Sequence, residues 1–307
     1  MIKGALLLAS GLVLSAGSLS AREWTSNDGK KLEADFVSLA EGKVTMKRPN
    51  GQVFSVPLER LSESDQKWAE LAASTPAPEA QAKPIEGPFA GLVTGEWELS
   101  EAEEVKFALY GPASLSGDTK YPLVLALHGK SGNSENGKQV GSWMKTFTSS
   151  ENVAERPCYV LAPMSEQPLA REGMGWGNEE AARVVKLIKS LVKGLNIDPD
   201  RIYIVGYSMG GAGTCNVMAA ESRLFAAAIP VAGVSSSVAK DLSRKPMWVF
   251  HAEDDKLVPV AASRDFAESM KRNKNFKYTE SATGGHGIVG AVFKDVETHK
   301  WLFSQSL

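Results

Sequence analysis

Cysteine is nearly absent: Cys158 and Cys215 are the only two in 307 residues, so no disulfide framework holds the fold. Neither sign of charge dominates, since 34 basic residues meet 36 acidic ones for a formal net charge of −2. That balance offers no basic face to nucleic acid. No Cys/His cluster has zinc spacing and no G-x-x-x-x-G-K-[ST] loop occurs, so no metal and no nucleotide cofactor is expected. The apolar run at 5–14 is too short to cross a bilayer.

What is there begins with a targeting pattern. Lys3, that apolar run and the small residues up to Ala21 read as a secretory signal peptide over 1–21, cut between Ala16 and Ala21. The expected location is secreted or periplasmic, with no integral membrane segment once the signal is gone. In such an oxidising compartment Cys158 and Cys215 are either bridged or small buried thiols, the commoner state.

Residues 22–72 then alternate apolar and polar side chains in short stretches, with reversals at Asn27-Asp28-Gly29, Glu41-Gly42 and Asn50-Gly51. Ser62, with Asp65 three residues on, has the form of a helix N-cap. The pattern predicts a small β-barrel closed by a short helix. Trp24, Gly29-Lys30, Phe36, Gly42-Lys43-Val44, Val56-Pro57-Leu58, Leu61-Ser62, Asp65 and Trp68 give it a resemblance to the Sla-homology type 1 domain, an SH3-like module. The resemblance allows a peptide or protein ligand and specifies none; the aromatic residues read as core.

Residues 73–90 are rich in Ala, Pro and Glu and read as a semi-extended linker. From 91 to 307, strand and helix patterns alternate. Apolar strands are predicted at 121–129, 158–163, 202–205, 225–233 and 246–252, and a strand near 276–281. Helices are predicted over 178–195, 261–271 and 292–303. The fold class is therefore α/β, a mostly parallel sheet covered by helices on both faces, with ligands at the carboxyl ends of the strands.

One stretch organises the rest. At 201–215, RIYIVGYSMGGAGTC, a β-branched and aromatic strand runs into Gly206-Tyr207-Ser208-Met209-Gly210 and then a helix-forming segment. G-x-S-x-G between strand and helix is a nucleophile elbow. A turn this tight strains the serine and leaves no room for side chains at 206 or 210. It raises the Ser208 hydroxyl and aims the Met209 N–H where an oxyanion would form.

A serine needs a base, and only His251, His286 and His299 follow it. His286 lies in the glycine-rich TGGHG after the final strand. His299 sits in the closing helix and reads as a surface or packing residue, and His251 ends a strand. An acid is expected in the loop HAEDDKLVPV, where Asp254 and Asp255 both qualify by type. His128 precedes the serine and reads as a loop-fixing residue.

Together LHGKSG, DPDRIYIVGYSMGG, HAEDDKLVP and GGHG resemble the α/β-hydrolase superfamily, in particular its small esterases: phospholipase/carboxylesterase-like, polyhydroxybutyrate-depolymerase-like and feruloyl-esterase-like enzymes, often labelled prolyl-oligopeptidase-like. The resemblance covers 91–307. It implies the order serine, acid, histidine, hence Ser208, Asp255 and His286, with Asp255 preferred over Asp254 because Pro259 then falls where related loops have it. It implies a second oxyanion donor from Gly129 or Lys130, Gly129 being preferred. Lys130 and Trp176 are candidates for the substrate pocket, Trp176 equally readable as an ordinary buried tryptophan. The expected reaction is carboxylic-ester hydrolysis on a small-molecule or polymer-borne substrate, such as a carbohydrate ester. A serine peptidase or a non-catalytic scaffold are the alternatives.

Overall fold

Alternate residues of the same strand enter two different cores in the larger part of the chain. Phe107, Leu109, Leu123, Leu125 and Leu127 belong to one, while Ala108, Tyr110, Val124 and Ala126 belong to the other. Strands buried on both faces read as unbroken apolar runs, which is why they were visible in the sequence. The computed structural model describes residues 22–74, 83–133, 135–165 and 176–307. The signal-peptide expectation for 1–21 lies outside the described residues, as does the linker expectation over 75–82. The chain divides into two compact units, Met1–Gln81 and Ala82–Leu307.

In the first unit, β1 (Arg22–Thr25), β2 (Lys31–Ala40), β3 (Lys43–Lys47) and β4 (Val53–Pro57) form a four-stranded antiparallel sheet in chain order. A single bridge, Ser26 to Leu61, continues the pairing beyond β4. Helix α1 (Glu63–Ser74) is anchored at its start, where the Asp65 N–H donates to Ser62 Oγ and the Ser62 hydroxyl to Asp65 Oδ2. Asp65 Oδ2 also accepts from the Thr25 N–H at 2.7 Å, tying helix to strand. Trp24 is buried, packs edge-on to Trp68 and donates its indole N–H to the Ala34 carbonyl. The aromatic residues are core, and Arg22 stacks on both tryptophans at 4.0 and 4.6 Å.

In the second unit the strands are β5 (Trp97–Ala102), β6 (Val105–Tyr110), β7 (Tyr121–Leu127), β8 (Tyr159–Pro163), β9 (Ile197–Tyr207), β10 (Ala227–Val231), β11 (Met247–Ala252) and β12 (Phe276–Ser281). They form one eight-stranded sheet ordered β5-β6-β8-β7-β9-β10-β11-β12. All pairings from β8 through β12 are parallel; β6 is antiparallel to both neighbours. Helices α3 (Asn178–Gly194), α4 (Met209–Ala220) and α5 (Ala261–Met270) bury Leu187, Ile188, Val217, Met218 and Phe266 against one face. Helices α6 (Val289–Lys294) and α7 (Val296–Phe303) bury Phe293 and Leu302 against the other, with Val153 of α2 (Ser150–Glu155) beside them.

Three details differ from the sequence expectations. The single closing helix at 292–303 is two helices, because Asp295 is extended and caps α7, its side chain accepting from the Glu297 N–H. The elbow strand begins earlier, at Ile197, which pairs with Tyr121. The stretch expected as linker up to residue 90 is not free along its length: Ile85 and Phe89 pack on the larger core, and the Lys83 carbonyl accepts from the Gly117 N–H.

Cys158 begins at the edge of β8 and lies in one core, and Cys215 on α4 lies in the other, so the sheet separates them. Both are free thiols, and burial pushes each up to about 12. Since the thiolate is the reactive form, neither should react with a disulfide reagent at pH 8 in the native protein. Titration in denaturant is expected to release both thiols; rapid labelling of the folded chain would contradict the described packing.

Candidate functional site

The turn after β9 carries the site because three backbones meet there. Ser208 has φ 58° and ψ −116°, a region that side chains other than glycine rarely enter. Its N–H donates to the Val231 carbonyl at 2.8 Å, and its own carbonyl accepts from the N–H groups of Gly211 and Ala212. A methyl group at position 206 would lie 2.1 Å from the Gly210 carbonyl oxygen, and one at 210 would lie 2.0 Å from that of Leu127. Gly233, just past β10, is as constrained: a methyl there would be 2.3 Å from the Ser208 carbonyl oxygen.

The structure brings Ser208, His286 and Asp255 together. His286 Nε2 lies 2.8 Å from Ser208 Oγ, and His286 Nδ1 lies 2.7 Å from Asp255 Oδ2. A carboxylate only accepts, so Nδ1 carries the ring hydrogen and Nε2 is free to take the hydroxyl proton. His286 sits in a short 3-10 turn, Gly285–Ile288, entered through Gly284 at φ 122° and Gly285 at φ 54°, rather than in a loose loop. The Tyr207 ring packs 5.1 Å from the imidazole.

Of the two acids, Asp255 is buried and meets the imidazole, while Asp254 is exposed. Asp254 has a separate use, accepting from the Gly285 N–H at 2.7 Å and so pinning the histidine turn to the acid loop. Asp255 Oδ1 accepts from the N–H groups of Leu257 and Val258 at 2.8 and 3.0 Å. Burial alone would raise the Asp255 carboxyl. The His286 hydrogen bond, then the Val258 and Leu257 N–H groups, outweigh that and hold it below the usual carboxylate range.

Met209 N–H opens α4, where helical N–H groups lack partners. Among the described residues, neither it nor the Gly129 N–H has a protein acceptor. The peptide that carries the Gly129 N–H is held by its His128 carbonyl, which accepts from the Trp176 indole N–H at 3.4 Å; in the next peptide the Gly129 carbonyl accepts from His128 Nδ1–H at 2.6 Å and from the Gly132 N–H. His128 Nε2 accepts from the Ser165 N–H, which fixes that tautomer, and burial lowers the ring's pKa. His128 is thus the loop-fixing residue expected.

A cavity of about 860 Å³ opens over Ser208, lined by Gly129, Lys130, Met209, Leu257, Val258 and His286 among others. Lys130, a pocket candidate in the sequence, lines this cavity. Trp176 does not. It is fully buried beneath α4, its ring edge-on to His128 and filling the space that a side chain at Gly213 would need. A separate hollow of about 260 Å³ includes His299, whose nitrogens meet the Phe293 carbonyl and Asn152 Oδ1, a packing role. Among the described residues no His/Cys/Asp/Glu group could hold a metal ion. Gly233, Asp254 and His251 were not assigned to the site from sequence. A glycine ending the strand beside the elbow strand was the one available signal for Gly233.

Residues 179–300 match the family described as PET hydrolase-like, and residues 16–75 match SLA1 homology domain 1. A bifunctional acetylxylan esterase/xylanase, XynS20E of Neocallimastix patriciarum, is 29% identical over 147 residues, which is 47% of this chain and 20% of that protein. The crystal structure of a thermostable esterase is 32% identical with a TM-score of 0.63, covering 69% of this chain and 63% of that one. S-formylglutathione hydrolase FrmB of Staphylococcus aureus superposes with a TM-score of 0.54 at 13% identity, over 68% of this chain and 96% of its own. The chain therefore spans about a fifth of the curated relative and under two thirds of the thermostable esterase. The larger unit has the α/β-hydrolase fold, and the N-terminal one is of the SLA1-homology type.

Gly210→Ala drives a methyl into backbone and should cost on the order of 3 kcal/mol or more of stability. Gly285→Ala meets no neighbour and carries only the left-handed backbone penalty, about 1 kcal/mol. Chemical denaturation ranks the two; the reverse order would refute the close approach at Leu127. A second expectation concerns pH. Because the folded-state pKa of Asp255 is depressed, its contribution to stability is complete above the ordinary carboxylate value and is lost as pH falls through the folded one. Asp255→Asn should flatten the acid arm of the stability curve, measured by thermal unfolding from pH 7 to pH 2.

Proposed function

We propose that this chain, an α/β-hydrolase domain behind an SLA1-homology module, hydrolyses carboxylic esters with Ser208 as nucleophile, His286 as base and Asp255 as acid. One observation carries the reading: a strained serine whose hydroxyl is 2.8 Å from an imidazole that is itself 2.7 Å from a buried carboxylate.

Ser208 Oγ attacks the ester carbonyl carbon as His286 Nε2 takes its proton. The carbonyl electrons move to oxygen, which the Met209 and Gly129 N–H groups receive; each such donor is worth roughly 10²–10³ in turnover. Asp255 stabilises the imidazolium and does not take the proton. Collapse breaks the ester C–O bond, His286 returns the proton to the leaving alkoxide, and the acyl group stays on Ser208. Water then enters, gives a proton to His286 and adds to the acyl carbon, and Ser208 departs reprotonated.

The open, largely apolar cavity and the acetylxylan esterase activity in the relative's name support an acyl ester carried on a soluble or polymeric carbohydrate. The N-terminal pattern 1–21 supports export to a secreted or periplasmic location, and no described helix is long and apolar enough to cross a membrane. The SLA1-homology module is proposed to hold a peptide or protein ligand, not the ester.

Hydrolysis across acetyl, butyryl, longer-chain and feruloyl esters, with acetylated xylan as a polymer, tests the reading. Wild type should turn over at least one class and label with a fluorophosphonate. Ser208→Ala should lose both, with turnover falling by at least about 10⁴-fold. Release of a fluorogenic amine from peptides without ester turnover would instead make the protein a peptidase.

A further inference from the structure

One buried imidazole takes no part in the reaction above. His251 is the penultimate residue of β11, is fully buried, and has both nitrogens engaged. Nε2 lies 3.2 Å from Asp255 Oδ2 and 3.1 Å from the Val258 carbonyl oxygen, and Nδ1 lies 2.7 Å from Ser263 Oγ. A carboxylate and a carbonyl can only accept, so the ring hydrogen belongs on Nε2. Nδ1 then has a lone pair, which the Ser263 hydroxyl fills from α5. The tautomer follows from the partners.

We propose that His251 is a positioning residue for the acid, its Nε2–H clamping Asp255 and Val258 together so that Oδ2 stays aimed at His286. This deepens the esterase reading of the same site and rests on it. The backbone donors Leu257 and Val258 reach only Oδ1, which leaves the carboxylate free to swing about that oxygen. A second donor on Oδ2, beside the His286 Nδ1–H, removes that freedom. Val258 is held at both ends of its residue: its N–H on Asp255 and its carbonyl on His251. Since Leu257, Val258 and Ser263 also line the cavity, the clamp joins the acid to the substrate-facing wall. A residue present only to fill the core would have no reason to spend its donor on this carboxylate. An apolar side chain of similar size would fill the same space.

Two measurements decide it. Nitrogen-15 spectra of ring-labelled histidine should show His251 with hydrogen on Nε2 and a bare Nδ1, its signal identified by its loss in His251→Gln. Hydrogen on Nδ1 with a bare Nε2 would overturn the clamp, and this readout needs no substrate. In kinetics, His251→Leu should lower kcat on the order of tenfold with KM little changed, short of the 10²–10⁴ carried by a general base itself. His251→Gln, whose amide nitrogen replaces Nε2 as donor, should recover kcat to within about threefold of wild type. Equal losses in both variants, or a rise in KM alone, would make the role purely structural. If His251→Leu does not fold, Ser263→Ala serves instead: releasing Nδ1 should move the His251 ring signal and lower kcat, and an unmoved signal would count against the proposal. Should wild type turn over no ester, the esterase reading fails while the tautomer spectrum still decides the clamp.

Discussion

The site depends on how closely the ends of β7, β9 and β10 approach one another at Ser208. Parallel register sets Leu127 beside Gly206 and Val231 beside Tyr207, so three chain reversals crowd one point. Only glycine at 206, 210 and 233 leaves room for the backbones to pass. The strain shows on both sides of the crowding, with Ser208 at φ 58° and Ala232 at φ 52°. Each such residue costs on the order of 1–3 kcal/mol, which a short peptide could not sustain. It persists because strands buried on both faces fix the positions from which the turns leave.

That constraint explains why the serine faces the cavity while its backbone is tied to Val231, Gly211 and Ala212. The hydroxyl is raised on a turn that cannot relax, and the helix that follows presents its unpaired Met209 N–H to the same space. Across the cavity, the Gly129 N–H belongs to the peptide whose His128 carbonyl accepts from the Trp176 indole N–H, while the next peptide is held by its Gly129 oxygen through His128 and the Gly132 N–H. Donors fixed in place before a reaction need no rearrangement as charge develops, which is why preorganised dipoles are effective in enzymes generally.

Strands, helices and the elbow were legible because each obeys a local rule. Val124 to Leu127 and Ile202 to Val205 are apolar on both faces, and G-x-S-x-G has a steric meaning wherever it follows a strand. Asp255 and His286 were legible through the order of groups in the fold. What stayed hidden was tertiary. Trp176 reads the same whether it lines a pocket or packs on Gly213, since only the path of α4 decides. The break at Asp295 was hidden by apolar spacing that continues across it. Nothing near His251 in the sequence says that its partner would be a carboxylate four residues on, because strand ends do not normally return on themselves so tightly.

The sheet also sets the distances over which Ser208, His286 and Asp255 meet. Neighbouring strands stand about 4.8 Å apart, so β9 and β11, with β10 between them, are roughly 10 Å apart. Ser208 leaves from β9 and Asp255 from β11, a gap too wide for a hydroxyl and a carboxylate to bridge. An imidazole with a nitrogen at each end can span it, but its own strand, β12, is one place further out. The chain must therefore fold back over β11, which it does through Gly284 and Gly285 with Asp254 receiving the Gly285 N–H. The residue spacing of 78 between serine and histidine, and of 31 between histidine and acid, is closed by strand order together with this turn. Directly after β10, a side chain at Gly233 would meet the Ser208 carbonyl oxygen. Close packing at Ser208 thus leaves Asp255 on the next strand out, and the imidazole of His286 spans the gap between them.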